Sequence, residues 1–465
     1  MRAARAMASA AAVAAACTLP AHGQAKDGPA APAQRAPAGP STVIPPPWVP
    51  DAGAQPTPGG AGRTGAMPPP YLPNASQYLV QPGQSWQHIV PELKPGDEVI
   101  FPAGFHLPMV LDGLKGTRER PIILRSRDRV PAAVACEVDG WVFRRPEHVI
   151  VENILFLNPR GAAIAIDGRD QAAGPGMPAQ PWKAEFTVRS CSVSGSRKDA
   201  GQDAVRVVAC SDVRVDQVRV DGWTDAAVEI DSSRRVLVRA LMMVPSPQLR
   251  QEFGVKVLGP SGELSVTGCA FNKAVRTGVS VGSPCPGGDA ALAPPVDRMR
   301  VDRCVFENPG TALQAVNVRD LVLSRATIVN PTDAIYAIPE DAGTVEQVLV
   351  EKCLAYWTPG VLQRFSPHPG RLKQTAVTLA DNLWFSVELP TAWEVLGAPF
   401  GYMSVPQVTA FDPGIEATSL RPRNAEAMRY GAHSLGVPAG SRPAENPVQG
   451  QEPPPVRKPG ENGPG

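Results

Sequence analysis

One short pattern of apolar residues recurs along the middle of this chain, about once every 28 residues. Each copy has an apolar–any–apolar run, then two polar or small residues, one small or apolar residue, a spacer and a last apolar residue. About nine copies can be aligned, at residues 149–156, 186–193, 213–220, 236–243, 264–271, 299–306, 321–328, 348–355 and 377–384. Alternating apolar positions predict strands with one buried face, and no single copy can bury that face alone. The copies must therefore stack as the coils of a solenoid.

The residue types decide between a β-solenoid and a helical one. A helical repeat is the alternative at this spacing. The copies are dominated by β-branched residues, and none contains a long run with apolar residues at helical spacing. We therefore expect an all-β fold.

The sixth position of each copy is shared by several cysteines. It holds Cys191, Cys269, Cys304 and Cys353, and elsewhere Ile154, Val218, Leu241, Ala326 and Asn382. Coils stack about 4.8 Å apart, so this position forms one interior column. A metal or redox site is one interpretation, but the sequence has no Cys-x-x-Cys pair. We expect these cysteines to act as small buried apolar residues.

A second alternating strand precedes most copies, and the residue between its two apolar positions should face outward. When these strands are stacked, the outward residues form one column. Its predicted members are Ala165, Arg206, Glu229, Lys256, Ser280, Gln314 and Tyr336. The column brings two cations and one carboxylate onto consecutive coils.

The ends of the chain differ from the repeat region. Arginines followed by a short Ala-rich run predict a signal peptide and a secreted, periplasmic or cell-envelope protein. A lipid anchor at Cys17 is the alternative, because the residues before it resemble a lipobox. The Pro- and Gly-rich stretches predict disorder. The expected parts are a signal peptide (1–25), a disordered linker (26–72), a β-helix (73–388), an irregular C-terminal cap (389–437) and a disordered tail (438–465).

Net charge and hydropathy limit the partners. The formal net charge is +1 and charged residues make up 19% of the chain. Such a balance argues against binding nucleic acid or an anionic membrane through bulk charge. No stretch is long and apolar enough to predict a transmembrane segment. We expect a monomer.

The region before the repeat resembles a known family. Residues 78–83 (YLVQPG), 93–104 (LKPGDEVIFPAG) and 121–126 (PIILRS) resemble the opening of pectin-lyase-like proteins, including the alginate lyase and chondroitinase group, polysaccharide lyase family six. The resemblance implies a single-stranded right-handed parallel β-helix, here of about nine to ten coils, with residues 86–93 as an N-terminal cap. This fold hosts lyases, hydrolases, epimerases and binding proteins, so it specifies activity poorly.

The resemblance also implies a chemistry. Lyases of this kind remove a proton next to a uronate carboxylate, with a lysine and an arginine as base and acid, and with acidic residues and an asparagine holding calcium. The candidate catalytic residues are Lys256, Arg206 and Glu229, and the candidate substrate-binding residues include Arg276 and Asp203. The closely spaced glutamates of the family are not reproduced, so no calcium ligand can be assigned.

Three alternatives to a lyase stay open at this point. Arg206, Glu229 and Lys256 can form a structural ladder of ion pairs between coils. A polygalacturonase-like glycoside hydrolase needs paired carboxylates, and Asp203 stands alone in the sequence. A non-catalytic carbohydrate-binding or cell-surface structural protein is the third, with Trp223 and Tyr336 as a stacking platform for sugars. The lyase, the hydrolase and the carbohydrate-binding hypotheses share polysaccharide as the partner.

Overall fold

The computed structural model describes residues 75–128, 130–169, 181–195, 203–244, 251–271, 275–283, 295–339, 343–361, 368–371, 377–388, 408–409, 412–416 and 420–432. The predicted signal peptide with Cys17, the linker and the C-terminal tail lie outside these residues, as do parts of the predicted C-terminal cap.

Three parallel sheets make up the fold, and the chain visits the first, second and third sheet in turn before it returns to the first. The first sheet consists of Gln77–Leu79, Glu98–Phe101, Ile122–Ser126, Val149–Glu152, Trp182–Arg189, Cys210–Asp216, Arg234–Arg239, Gly262–Thr267, Val296–Asp302, Val318–Ser324, Val345–Glu351 and Val377–Ala380. The second consists of Phe105–His106, Ala132–Ala135, Ile154–Leu157, Ser192–Ser194, Arg219–Asp221, Met242–Val244, Ala270–Phe271, Val305–Glu307, Thr327–Val329, Leu354–Trp357, Asn382–Ser386 and Val408–Thr409. The third consists of Met109–Asp112, Trp141–Arg144, Ile164–Asp167, Asp203–Val208, Ala226–Asp231, Gln251–Leu258, Val275–Ser283, Thr311–Ala315, Ala334–Ala337 and His368–Arg371. The chain is a right-handed parallel β-helix, as the sequence predicts.

Each copy of the repeat is a corner between the first and second sheets. Its fifth residue has a left-handed backbone in all of the aligned copies, with φ of 55° at Asn153 and 51° at Ala240. The full set is Asn153, Ser190, Gln217, Ala240, Gly268, Arg303, Arg325, Lys352 and Asp381. One residue in this conformation turns the chain sharply, so the corner has the same geometry in every coil. The sixth residue then lies at the start of the second-sheet strand or directly before it, with its side chain in the core.

The interior column at the sixth position is confirmed. Its cysteines are buried and free, and burial raises the pKa of Cys191 and of Cys353 to about 12. These two thiols therefore stay protonated, and the cysteines of the column pack as small apolar side chains. Asn382 ends the column, where its amide oxygen accepts a hydrogen bond from the backbone N–H of Cys353 and its amide nitrogen donates to the carbonyl of Val350.

The N-terminal end of the core is closed by aromatic side chains next to a short 3-10 helix, Gln87–Glu92. Trp86 is buried and lies edge-on to Phe101 and Trp141, at 5.5 Å and 6.1 Å between ring centroids. The sheets begin before the first aligned copy. The repeat pattern does not detect these early coils, because their corners between the first and second sheets are longer. A second 3-10 helix spans Ala427–Arg429. No helix in the described part is long and apolar enough to cross a membrane.

Strand pairing confirms the register of the outward column of the third sheet as far as Gln314, although the Ser280 side chain is buried. Strand pairing places Arg206, Glu229 and Lys256 side by side on consecutive coils. Gln314, however, pairs with Ala337, while Tyr336 pairs with Leu313 and is buried. The prediction for Tyr336 was therefore wrong by one residue. A slip of one residue moves a strand side chain to the other face of its sheet.

Ala240 allows the corner geometry to be tested. An L-residue in the left-handed conformation costs about 1–2 kcal/mol, whereas glycine costs only about 0.5–1 kcal/mol in lost chain entropy. We therefore expect Ala240→Gly to stabilise the fold slightly, by about 0.5 kcal/mol, and to raise the thermal unfolding midpoint. The control is Ala315→Gly, within the strand Thr311–Ala315, which should lower the midpoint. A fall in both variants would contradict the role of this corner.

Candidate functional site

The outer face of the third sheet carries a group of charged side chains, which we call the acidic cluster: Asp203, Arg206, Asp225, Glu229 and Lys256. Arg206, Glu229 and Lys256 come from neighbouring strands in register. Asp203 begins the same strand as Arg206, and Asp225 directly precedes the strand Ala226–Asp231. Three successive coils thus supply the cluster.

Lys256 is bound by two carboxylates. Its Nζ atom is 2.7 Å from Oδ2 of Asp225 and 3.3 Å from Oε2 of Glu229. It also lies 5.4 Å from the centroid of the Phe253 ring, and only 15% of the side chain is exposed. Burial alone would lower the pKa of Lys256, but the hydrogen bond and charge of Asp225 and the charge of Glu229 raise it above the ordinary value. The amine is therefore protonated at neutral pH.

Asp203 is a buried carboxyl group, 3% exposed, at the other side of the cluster. Its Oδ2 accepts a hydrogen bond from Nε of Arg206 at 3.0 Å, and its Oδ1 accepts one from the backbone N–H of Ala226 at 3.3 Å. Burial and then the charge of Glu229 raise the pKa of Asp203 to about 7, although the charge of Arg206 opposes the shift. A carboxyl group with this pKa can gain or lose a proton near neutral pH.

Asp225 is the member of the cluster that the sequence analysis missed. Carboxylate oxygens of Asp203, Asp225 and Glu229 all lie within 4.8 Å of one another. The expectation that Asp203 stands without a paired carboxylate was therefore wrong. One signal was present in the sequence: Asp225 precedes Ala226, and Ala226 is the strand partner of Asp203.

Arg206 does not follow the predicted ladder of ion pairs. The ladder places it against Glu229, whereas its Nε bonds Asp203 on its own strand. Lys256 and Glu229 do pair across coils. The cluster is thus only in part a ladder between coils, since two of its carboxylates, Asp203 and Asp225, lie outside the predicted column.

Arg276 lies at the edge of this face. Its Nη1 atom is 3.2 Å from Oε2 of Glu252, and 66% of the side chain is exposed. Strand pairing places Glu252 beside Arg276, next to the pair of Phe253 and Thr277. Arg276 therefore belongs to a separate, solvent-exposed ion pair and is not bonded to the acidic cluster.

Neither predicted aromatic residue offers a surface to a sugar. Trp223 and Tyr336 are each 1% exposed. The indole nitrogen of Trp223 donates a hydrogen bond to the carbonyl of Phe253 at 2.7 Å. Stacking on a sugar needs an exposed ring face, so the predicted platform of Trp223 and Tyr336 was wrong. An aromatic ring that borders the cluster is Phe253, which is half-buried beside Lys256.

The acidic cluster does not fit the calcium site that the family resemblance implies. Its three carboxylates are close enough together to share one cation. Two of them, however, already bind the ammonium group of Lys256, and the third binds Arg206. Calcium needs carboxylate oxygens at about 2.3–2.6 Å, and in this cluster those oxygens are bonded to the protein's own cations instead.

Comparison with solved structures aligns the chain with polysaccharide-active β-helix enzymes. An alginate lyase of polysaccharide lyase family 6 aligns with a TM-score of 0.46 and 14% identity, over 79% of this chain and 58% of that chain. A mannuronic acid-specific lyase of the same family, from human gut microbiota, aligns with a TM-score of 0.39 and 11% identity, over 73% of this chain and 92% of that chain. An exopolygalacturonase from Thermotoga maritima aligns with a TM-score of 0.38 and 11% identity, over 64% of this chain and 81% of that chain. The match thus spans little more than half of the first alginate lyase.

No protein-family model matches the sequence, and no curated protein matches it either. The identities to the aligned structures are low, so the activity of this chain must be argued from its own residues.

The pKa of Asp203 predicts a pH dependence of stability. The folded protein keeps the proton of Asp203 up to about pH 7, whereas the ordinary value for an unfolded chain is 3.8. Between these values the folded state binds more protons, so the contribution of Asp203 to stability falls as the pH rises, by at most about 1.4 kcal/mol per pH unit. We expect Asp203→Asn to remove this fall. Relative to wild type, the variant should therefore become more stable as the pH rises from about 4 to 7.

Thermal unfolding midpoints measured across this pH range will test the effect. Asp212→Asn is the matched control, because Arg235 bonds Asp212 and holds its pKa below the ordinary value. Asp212 should therefore titrate only at lower pH, and the difference between wild type and Asp212→Asn should stay flat. An equally flat difference for Asp203→Asn would contradict the raised pKa.

Proposed function

We propose that this protein binds an acidic polysaccharide on the outer face of its third sheet, outside the cytoplasm, and cleaves it by β-elimination at a uronate ring. The observation that carries the proposal is the acidic cluster, in which protonated cations and carboxylates alternate on three consecutive coils. A polymer that crosses the strands of this sheet at right angles would meet these groups one coil after another, at steps of about 4.8 Å.

The reaction makes three demands, and the cluster has groups for each. A uronate that loses the proton next to its carboxylate develops negative charge there, which a nearby cation stabilises. Arg206 is suited to this, because it is partly exposed and an arginine stays charged. The protonated amine of Lys256 is suited to donating a proton to the leaving oxygen. Glu229, 3.3 Å from Lys256, is the carboxylate best placed to take the proton.

Glycoside hydrolysis is the second candidate, and one observation favours it. A hydrolase needs one carboxyl group that keeps its proton and a second that is ionised. Asp203, with its pKa raised to about 7, lies in the same cluster as Asp225 and Glu229. The same face could thus supply a general acid and its partner. Non-catalytic binding of polysaccharide is the remaining outcome.

An assay of the full-length protein separates these functions. Purified protein is mixed with alginate, pectate or chondroitin, and both the ultraviolet absorbance of unsaturated uronates and the number of new reducing ends are followed. Elimination raises both signals, hydrolysis raises only the reducing ends, and binding alone raises neither. We expect both to rise on at least one of these polymers. A rise in reducing ends alone would replace the lyase with the hydrolase.

Variants of the acidic cluster test whether it carries the activity. We expect Lys256→Ala and Arg206→Ala each to lower the turnover rate by about a hundredfold or more, since both remove a group that acts on the reacting ring. Arg235→Ala is the control, because Arg235 forms a similar ion pair with Asp212 on the first sheet. It should keep its activity. Full activity in Lys256→Ala would remove the cluster from the mechanism.

A further inference from the structure

Lys256 occupies the position between two carboxylates that a bound cation would take. Its ammonium nitrogen is 2.7 Å from an oxygen of Asp225 and 3.3 Å from an oxygen of Glu229. Because the Lys256 side chain is largely buried and lies against the Phe253 ring, the ammonium group is held there. Calcium in this position would need oxygens at about 2.3–2.6 Å, so it and the ammonium group cannot share the site.

The third carboxylate of the cluster has its own cation. Asp203 is bonded to Nε of Arg206 and to the backbone N–H of Ala226. Three carboxylates thus face two protonated side chains, and the raised pKa of Asp203 removes part of the remaining negative charge near neutral pH. The protein therefore balances most of the charge of this cluster with its own side chains.

We propose that the amine of Lys256 is the built-in cation of the acidic cluster, so that the site is complete without a divalent metal ion. Removal of this amine should convert the same three carboxylates into a binding site for a divalent cation. The inference concerns the charge balance of the site and holds whether the site cleaves polysaccharide or only binds it.

The test measures the binding of calcium chloride by isothermal titration calorimetry, with the full-length protein and without polysaccharide. The variant is Lys256→Met, since methionine keeps much of the apolar stem that packs beside Phe253 and loses the charge. We expect little binding to wild type at millimolar calcium. In the variant we expect affinity higher by about tenfold or more, because the ligand charge of a site sets its affinity for calcium. Calcium should also raise the thermal midpoint of the variant alone.

The matched control is Lys183→Met. Lys183 forms an ion pair with Glu185 at 2.6 Å and is 70% exposed, outside the cluster. Removal of its amine leaves one exposed carboxylate and should give no calcium binding. A gain in Lys183→Met equal to that in Lys256→Met would show that the loss of any lysine suffices, and it would overturn the proposal.

Two further results would overturn it. Calcium binding to wild type as tight as to Lys256→Met would show that the amine does not hold the place of a metal. Absence of binding in both proteins would show that the cluster is no cation site even when it is vacated. Circular dichroism checks that the variant is folded, and if Lys256→Met does not fold, Lys256→Gln takes its place and is held to the same outcomes.

Discussion

The stacking of each coil on the one before it, in a fixed strand register, is the constraint on which the rest of this structure depends. Backbone hydrogen bonds between parallel strands set the spacing of the coils, and the left-handed residue at the fifth position of each copy sets where the chain turns. A coil can lengthen in its connections without moving the corner. This explains why the copies keep the same pattern while the spacing between them varies.

Because the register is fixed, the surroundings of a side chain are set by the residues at the same position in the neighbouring coils. Inside, the sixth-position column accepts cysteine, valine or leucine, because each fills a similar space between the sheets. It accepts Asn382 because the side-chain amide bonds the backbone N–H of Cys353 and the backbone carbonyl of Val350. A buried amide without such partners would cost about 1–3 kcal/mol.

The sequence alone could predict most of the positions in these columns. The period, the buried cysteines and the outward placement of Arg206, Glu229 and Lys256 follow from alternation and spacing alone. Tyr336 could not be placed, because its short strand, Ala334–Ala337, has an alanine at each end and its pattern fits two registers. Asp225 lies just before a strand, where alternation no longer indicates to which face of the sheet a side chain points.

The grouping of three carboxylates with two cations separates the acidic cluster from simple ion pairs of the first sheet. There, Arg189 pairs with Glu152 at 2.8 Å and Arg235 with Asp212 at 2.7 Å, one arginine to one carboxylate on the neighbouring coil. Such half-exposed pairs contribute about 0–1 kcal/mol and help to fix the register.

The acidic cluster is different, because it holds Asp203 in a place that raises its pKa, and such a group weakens the folded state at neutral pH. Register would be fixed as well by a simple pair of Glu229 and Lys256. Asp203 thus adds a cost that this simple pair would not have. A cost of this kind is typical of functional sites, where charge is arranged for a ligand rather than for stability.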